Sequence, residues 1–470
     1  MLNKKIKNIC CIGAGYVGGP TMAVIAKYCH HIQVNVVDIN PDRIAKWNEH
    51  DLSNLPIYEP GLEEIVKERR GKNLHFSTNI QSNIKKADMV FISVNTPTKS
   101  KGIGAGQASD LKYVEASSRE ISKYAEGFTI VVEKSTLPVK TAQTIKDILE
   151  SNTDSGGLKE KKSFAVLSNP EFLAEGTAIN DLNNPDRVLI GGDNKEAIDA
   201  LVNIYSNWVD KNKVLTTDLW SAELSKLIAN AFLAQRISSI NTISALCEAT
   251  GAHIKDVALA VGMDSRIGKY FLNSGPGFGG SCFKKDISNL VYISNHYGLT
   301  EVAEYWQKVL NINTWQQERF VELIVKKMFG TISSKKITIM GFAFKSNTND
   351  TRESPAIFIC KKLLEEGAIL KIYDPKVSEE QIAKDLGNNK IQISPKENRS
   401  WSFSSSLYET FIDSDAAIFI TAWEEFENLN WSKISPKMRK PAWIFDTRSI
   451  LKIDEVKKSG INIWQVGCGT

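Results

Sequence analysis

The sequence predicts an α/β protein, with two doubly wound parallel-sheet domains joined by a long central helix. Three observations lead there. Over the first 217 residues, short apolar runs of strand character alternate with helical stretches, the pattern of a mainly parallel sheet covered on both faces. From Asp218 one helical periodicity persists for about thirty positions. Alternation returns near Lys336. These changes of rhythm divide the 470 residues into 1–217, 218–328 and 329–470.

In the first part, IKNICCI (6–12) reads as a buried strand, GAGYVG (13–18) as a turn and TMAVIAKY as a helix. QVNVVDI is the next strand and closes at Asp38, completing a β-α-β unit. MVFISV (89–94), FTIVVEKS (128–135), FAVLSN (164–169) and RVLIGG (187–192) continue the sheet. In the second part, DLWSAELSKLIANAFLAQRISSINTISALCEATG stops at Gly251, a glycine C-cap. A helix of that length spans about 45 Å, more than one small domain needs to cover. It therefore joins two domains and offers a face to a second copy of the chain. Shorter helical pieces follow. In the third part, KITIMGFAF (336–344), AILKIYD (368–374), DAAIFITA (415–422) and AWIFDT (442–447) are strands, and PAIFICKKLLEEG is a helix. This is a second Rossmann-like domain, although its first turn, GFAFKSNTNDTRESP, lacks GxGxxG.

Composition excludes several functions. With 42% apolar and 24% charged residues the chain has the make-up of a soluble globular protein. A net charge of +4 without a Lys/Arg block excludes a nucleic-acid partner. No apolar run is long enough to span a bilayer, so no membrane partner is expected. The start, MLNKKIKNICCIGAGYVGG, superficially imitates a signal peptide, but its apolar stretch is short and breaks into glycines. The seven cysteines (10, 11, 29, 247, 282, 360 and 468) form no CxxC. That argues against a zinc site or a disulfide framework and for a reducing cytoplasm.

Chemistry concentrates in five places. Gly13, Gly15 and Gly18 follow a strand and open a helix, and Asp38 ends the next strand. Such a turn brings backbone N–H groups and a helix N-terminus to a pyrophosphate, while the carboxylate takes ribose hydroxyls. Asp38 favours NAD by repelling a 2′-phosphate, although Arg43 could accept one. VNTPT (94–98) and KST (134–136) sit just past strand ends, where open α/β sheets place ligands; ordinary turn chemistry would use the same residues. Glu171 and Glu175, four apart in NPEFLAEGTA, share a face if that stretch is helical. Lys226 and Asn230, also four apart, would make an oxyanion clamp of one charge and one amide; a lysine snorkelling from an apolar helix is the plainer account. Cys282 closes the glycine-rich GPGFGGSCFKKD (275–286) beside Lys284, Lys285 and Asp286. Nearby positive charge favours a thiolate, and a nucleophilic cysteine beside a nicotinamide suggests covalent redox chemistry on a carbonyl.

GAGYVGGP, VNTPT, VEKST, NPEFLAEG, AELSKLIANAF, GPGFGGSCFKKD and GFAFKSNTNDTRESP, in that order and spacing, resemble the UDP-glucose 6-dehydrogenases of the UDP-glucose/GDP-mannose dehydrogenase family over about residues 6–450. The resemblance looks nearest to the animal-like branch, on stretches such as NLPIYEPGL (54–62). It implies an NAD-binding domain, a central dimerisation helix and a C-terminal domain that holds UDP. It also implies oxidation of the sugar C6 alcohol to a carboxylate with two successive NAD⁺, the aldehyde staying in the site. Cys282 would add to the aldehyde as a thiolate, giving a thiohemiacetal and then a thioester that water cleaves. Glu171 is the implied base; Lys226 and Asn230 match the oxyanion pair, and Thr136 and Asp286 the pair that holds a water.

Site residues transfer by the same matches. The cofactor contacts implied are Gly13, Ala14, Gly15, Tyr16, Val17 and Gly18 of the first turn, with Asp38 and Arg43 beyond it. Val94, Asn95, Thr96, Pro97 and Thr98, then Ser135 and Thr136, continue them. Glu175, Cys282, Lys285 and Arg352 complete the set. The substrate contacts implied begin at Glu171, Phe172, Leu173, Ala174 and Glu175 and include Lys226, Asn230 and Cys282. The loop from Phe271 through Leu272, Asn273, Ser274, Gly275, Phe278 and Gly279 matches the sugar-nucleotide loop, its bare backbone facing the ligand. Asn273 stands where animal-branch members often carry a lysine. Phe344, Lys345 and Arg448 match C-terminal contacts, and Arg266 an arginine that reaches across from a partner subunit. The chain ends soon after its last strand, so a dimer is expected before any larger assembly. The alternative is a sister enzyme acting on UDP-N-acetylmannosamine or GDP-mannose.

Overall fold

A computed structural model of the chain describes residues 5–135, 140–151, 162–387 and 400–469. The chain forms two compact units: Met1–Ala229 with Ser288–Tyr297, and Asn230–Ile287 with Gly298–Thr470.

The first unit carries β1 (Asn8–Ile12), β2 (Gln33–Val37), β3 (Leu74–Ser77), β4 (Met89–Ile92), β5 (Phe128–Glu133), β6 (Ser163–Ser168), β7 (Val188–Gly192) and β8 (Val214–Thr217). They form one sheet in the order β3-β2-β1-β4-β5-β6-β7-β8. Alternation along β1 shows why both faces are covered. Ile9 and Cys11 enter one apolar cluster with Val34, Phe91 and Val132; Cys10 and Ile12 enter another with Val37, Val90 and Val131. A strand buried on both sides is apolar throughout, hence NICCI.

The expected parallel sheet holds from β3 to β6 and then reverses. β6 and β7 pair antiparallel through Leu167↔Gly192 and Ser168↔Gly191. The connection after β6 contains only the short helix Ala178–Asn183. The chain therefore returns from the strand end it has just left instead of crossing the sheet. β3 and β8 are four-residue strands with half-exposed patterns, too short for their period to stand out.

The second unit carries β9 (Lys336–Met340), β10 (Ile369–Tyr373), β11 (Ser400–Phe403), β12 (Ala416–Phe419), β13 (Trp443–Asp446) and β14 (Asn462–Gln465). All pair parallel, in the order β11-β10-β9-β12-β13-β14. One apolar core spans it, with Phe342, Phe411, Phe419, Phe426 and Phe445 at its centre. The two units echo one another at the first turn. Asp38, after β2, accepts the Ala14 N–H at 3.0 Å; Asp374, after β10, accepts those of Phe342 and Ala343 at 2.7 and 3.0 Å. In the second unit the turn is closed further: Trp423 Nε1 also donates to Asp374.

The expected long helix runs Leu219–Thr250. Gly251, at φ +82°, ends it and donates to Cys247 O, the left-handed cap the glycine was read to supply.

Candidate active site

In the first unit the sheet order reverses between β1 and β4, and the cofactor-reading loops leave the C-terminal ends of those strands. Gly13 has φ +110°, and a Cβ there would lie 2.3 Å from Ser93 O. At Gly18 a Cβ would lie 2.0 Å from Gly13 O. Both positions demand glycine. At Gly15 a Cβ would meet no protein atom within 4 Å; its bare backbone serves approach by a ligand rather than packing. Tyr16 and Val17 lead into the helix Gly18–Tyr28, whose first turn has no side-chain cap. Asp38 holds Ala14 N, and Arg43 Nη1 pairs with Asp38 Oδ2 at 3.0 Å. The arginine thus faces the carboxylate it was weighed against.

The VNTPT and KST segments come together. Ser135 Oγ donates to Val94 O at 2.7 Å, Pro97 O accepts from Asp110 N, and Thr98 pairs with Ser109. Asn95 is exposed beside the buried Thr96. Thr136 lies outside the described residues. The geometry fits a dinucleotide: an open glycine, a helix N-terminus and an acidic strand end in the expected arrangement.

Glu171 and Glu175 do not share a helical face. Residues 171–174 are irregular, 175–177 form a turn, and the helix starts only at Ala178. Pro170 and the φ +81° of Gly176 keep the segment extended and then turn it. A residue missed in the sequence, Glu59, fastens this turn by accepting from Gly176 N (2.7 Å) and Ala178 N (3.1 Å). Ala174 N donates to Asp181, Leu173 and Glu175 are half-buried, and Phe172 sits beneath Arg187 at 3.8 Å with Lys226 at 5.4 Å. Glu171 and Lys226 are both buried, 6% and 4% exposed, and pair at 3.6 Å. Lys226 therefore does not snorkel. It turns inward to a carboxylate.

Two further carboxyls were not singled out. Glu223, one turn before Lys226, accepts from Lys140 N and Ala142 N at 2.7 Å each. Burial, then the neighbouring Glu223, pushes Glu133 well above the usual carboxylate range, so Glu133 keeps its proton.

In the second unit Cys282 is half-buried and immediately precedes the helix Phe283–His296. The helix N-terminus favours negative charge, which places the thiol well for thiolate chemistry. Asp286 lies in that first turn and bonds Cys282 O through its backbone N–H. Asn230 Nδ2 donates to Asp286 Oδ2 at 2.6 Å, both residues buried. Of the neighbouring lysines, Lys284 pairs with Glu353 at 2.8 Å and Lys285 lies 4.0 Å from Asp286.

The glycine-rich loop answers first to its own protein. A Cβ on Gly275 would lie 3.0 Å from Arg448 Nη1, on Gly277 2.4 Å from Asn313 Oδ1, on Gly279 2.5 Å from Glu353 O and on Gly280 3.0 Å from the Phe344 ring. The expectation that the bare backbone exists to face a ligand is corrected to that extent. Asn241 accepts from Gly275 N, Gln316 donates to Gly275 O, and Asn313 bonds both N–H and C=O of Phe278. Before it, Arg236 donates to the carbonyls of Ile267, Gly268 and Tyr270. That clamp precedes Phe271, whose φ of +61° is unusual for an aromatic residue. Leu272 and Ser274 are buried and Asn273 is exposed. Arg448 donates from Nε to Ile420 O at 2.6 Å, and burial lowers it to about 10, Asp446 opposing. Lys345 lies 5.6 Å over Phe344. Arg352 is fastened to Asp350 and Arg266, 87% exposed, to Asp264.

With this geometry, three matches decide the kinship. Residues 7–209 match the NAD binding domain of the UDP-glucose/GDP-mannose dehydrogenase family, 220–315 its central domain and 338–453 its UDP binding domain. The chain belongs to this family. Among relatives of this dehydrogenase, UDP-glucose 6-dehydrogenase 2 of Arabidopsis thaliana is 54% identical over 98% of the chain and 96% of its own length. The UDP-glucose 6-dehydrogenase of Bos taurus is 54% identical over 98% and 93%. A solved UDP-glucose dehydrogenase from Pyrobaculum islandicum superposes with a TM-score of 0.83 at 28% identity, covering 99% of this chain and 98% of that one. The UDP-D-MAnNAc dehydrogenase of Pyrococcus horikoshii gives 0.80 at 25%, over 98% and 99%.

Proposed function

We infer that the chain catalyses the NAD-dependent, four-electron oxidation of UDP-glucose at C6 to UDP-glucuronate. The observation that carries this is 54% identity, over 98% of the chain, to curated UDP-glucose 6-dehydrogenases of plants and animals. The sister reading, with UDP-N-acetylmannosamine as substrate, has solved relatives such as that of Pyrococcus horikoshii at 25% identity, well below the 54% of the UDP-glucose enzymes, and is not favoured.

The roles follow the family resemblance, and the chemistry agrees with it. Gly13, Gly15, Gly18 and Asp38 would hold NAD. NAD⁺ held there would supply the hydride-accepting chemistry, one equivalent for each of the two oxidations at C6. An aldehyde has no second hydride to release until a nucleophile adds to it. The Cys282 thiolate adds to C6 and forms the thiohemiacetal, which becomes the thioester when that second hydride departs. Lys226 and Asn230 stabilise the oxyanion. Glu171 takes the proton of the attacking water, and Cys282 leaves as thiolate. Asp286 would orient water, and Arg448, Phe344 and Lys345 would contact the sugar nucleotide.

We also propose a homodimer built on the long helix. Phe232 and Leu246 are each 57% exposed there, with Trp220 and Leu224 also exposed, an apolar face that an oligomer would cover. Arg266 would reach across. Seven free thiols suit a reducing, cytoplasmic setting. The test of function is NADH absorbance with limiting nucleotide sugars. UDP-glucose should yield two NADH per sugar and be preferred over UDP-N-acetylmannosamine and GDP-mannose. One NADH per sugar, or preference for another sugar, overturns the reading.

A further inference from the structure

Behind the loop that carries Glu171 lies a lysine that the chemistry above does not use. Lys134 directly follows β5 and is 3% exposed. Its Nζ donates to Asn169 Oδ1 at 3.2 Å and to the Tyr205 hydroxyl at 3.4 Å. The Tyr205 hydroxyl donates to the same Asn169 oxygen at 2.7 Å, and Asn169 Nδ2 donates to Leu189 O at 2.8 Å. The Asn169 backbone N–H bonds Glu133 O at 2.8 Å. Asn169 stands two residues before Glu171. One ammonium thus ties together the ends of β5 and β6 at the root of the Glu171 loop.

The charges that act on Lys134 are those of this same site. Glu171 favours its ammonium and Lys226 opposes it. Burial lowers Lys134 to about 8, so it carries its charge at neutral pH. A carboxylate as buried as Glu171 needs compensating positive charge. Lys226 lies at 3.6 Å, an ion-pair distance rather than a hydrogen bond, and its charge is shared with the oxyanion when the thioester is attacked.

We propose that Lys134 is a positioning residue for thioester hydrolysis: held by Asn169 and Tyr205, it fixes the Glu171 loop and supplies a second positive charge behind it while Lys226 serves the oxyanion. The proposal rests on the reading of Glu171 as the hydrolytic base.

The experiment compares Lys134→Met, Lys134→Arg, Tyr205→Phe and Glu171→Gln with the parent enzyme. Steady-state rates, thermal unfolding and intact-protein mass during turnover with UDP-glucose and NAD⁺ are measured on the same preparations. Lys134→Met should lower kcat at least tenfold, change KM for UDP-glucose less than threefold, and accumulate acyl-enzyme at Cys282, as Glu171→Gln should on the same reading. Lys134→Arg should recover part of kcat, because it restores the charge. Tyr205→Phe, which keeps the ring, should lower kcat about threefold. If Lys134→Met keeps kcat within twofold, or loses rate only in proportion to folded protein and without acyl-enzyme, the positioning role is overturned while Glu171 keeps its own. If Glu171→Gln itself accumulates no acyl-enzyme, the underlying reading falls and the role of Lys134 falls with it.

Discussion

Cys282 precedes a helix whose first turn also holds Asp286, and Asp286 is fixed by Asn230 from the long helix. Replacing the sulfur tests chemistry with little change of shape. Cys282→Ser is expected to lower kcat by several orders of magnitude, because a hydroxyl is a far poorer nucleophile without a dedicated base. UDP-glucose binding should change little; near-normal kcat would make the thiol mere packing. Asn230→Ala makes a different cut. It leaves the buried Asp286 carboxylate without its 2.6 Å donor, which costs roughly 1–3 kcal/mol of stability. Denaturant unfolding should show that loss alongside a fall in kcat of at least tenfold. At this scale the motifs were legible because their residue types are unusual in their places: a thiol after glycines, a lysine in an apolar helix. The anchoring roles of Glu59, Arg236 and Lys134 were not legible, although Lys134 opens the KST segment read as a ligand loop. Each acts on a backbone or loop distant in sequence, and nothing local distinguishes it from an ordinary charged residue.

Between residues and folds lie the loops, and glycines separate two kinds of demand there. At Gly279 a Cβ would lie 2.5 Å from Glu353 O and 2.9 Å from Phe344 Cβ. Gly279→Ala should lose roughly 1–3 kcal/mol by overpacking and raise KM for UDP-glucose. At Gly15 no protein atom lies within reach of a Cβ, so Gly15→Ala should leave the melting temperature within 2 °C, on the order of ±0.5 kcal/mol, and raise KM for NAD⁺. If both variants lose stability equally, the distinction fails. Glu133 gives a pH test. Its folded pKa is raised, so between the ordinary carboxylate value and that raised value the folded chain holds a proton the unfolded chain has lost. Stability falls through that window as pH rises. Glu133→Gln removes the term, so its melting temperature should gain on the parent's progressively from pH 5 to 7.5; a constant difference would mean that Glu133 is ionised in the fold. The apolar runs announced ten of the fourteen strands among the described residues, missing the four-residue β3, β8, β11 and β14, and did not announce the antiparallel pairing at β7, which depends on where the chain goes after Ser168. The helical reading of 171–175 failed because spacing of four is necessary for a shared face, not sufficient, and Pro170 and Gly176 decide the backbone.

Over the whole molecule the presence of two parallel-sheet α/β halves was readable from the alternation of strands and helices, whereas membership of the two compact units was not. Ser288–Tyr297 belongs with residues 1–229, though it lies far along the chain. Its place there is visible at Tyr292, whose ring would lie 2.8 Å from a Cβ on Gly104, and at Tyr297, over which Lys140 sits at 5.7 Å. A fragment of residues 1–229 should therefore unfold with a lower and broader transition than the same fragment carrying 288–297 on a flexible linker, measured by circular dichroism. Equal transitions would show that the segment adds nothing to the unit.

That late-arriving segment sets a timetable for synthesis. When residue 229 leaves the ribosome, the first unit still lacks its final ten residues, and on the order of ten seconds pass before they are made. During that interval the apolar start of the long helix emerges with its unit incomplete. The nascent chain therefore passes through a stage in which its cofactor-binding half is incomplete and less stable, and chaperone engagement should concentrate there rather than at the end of translation.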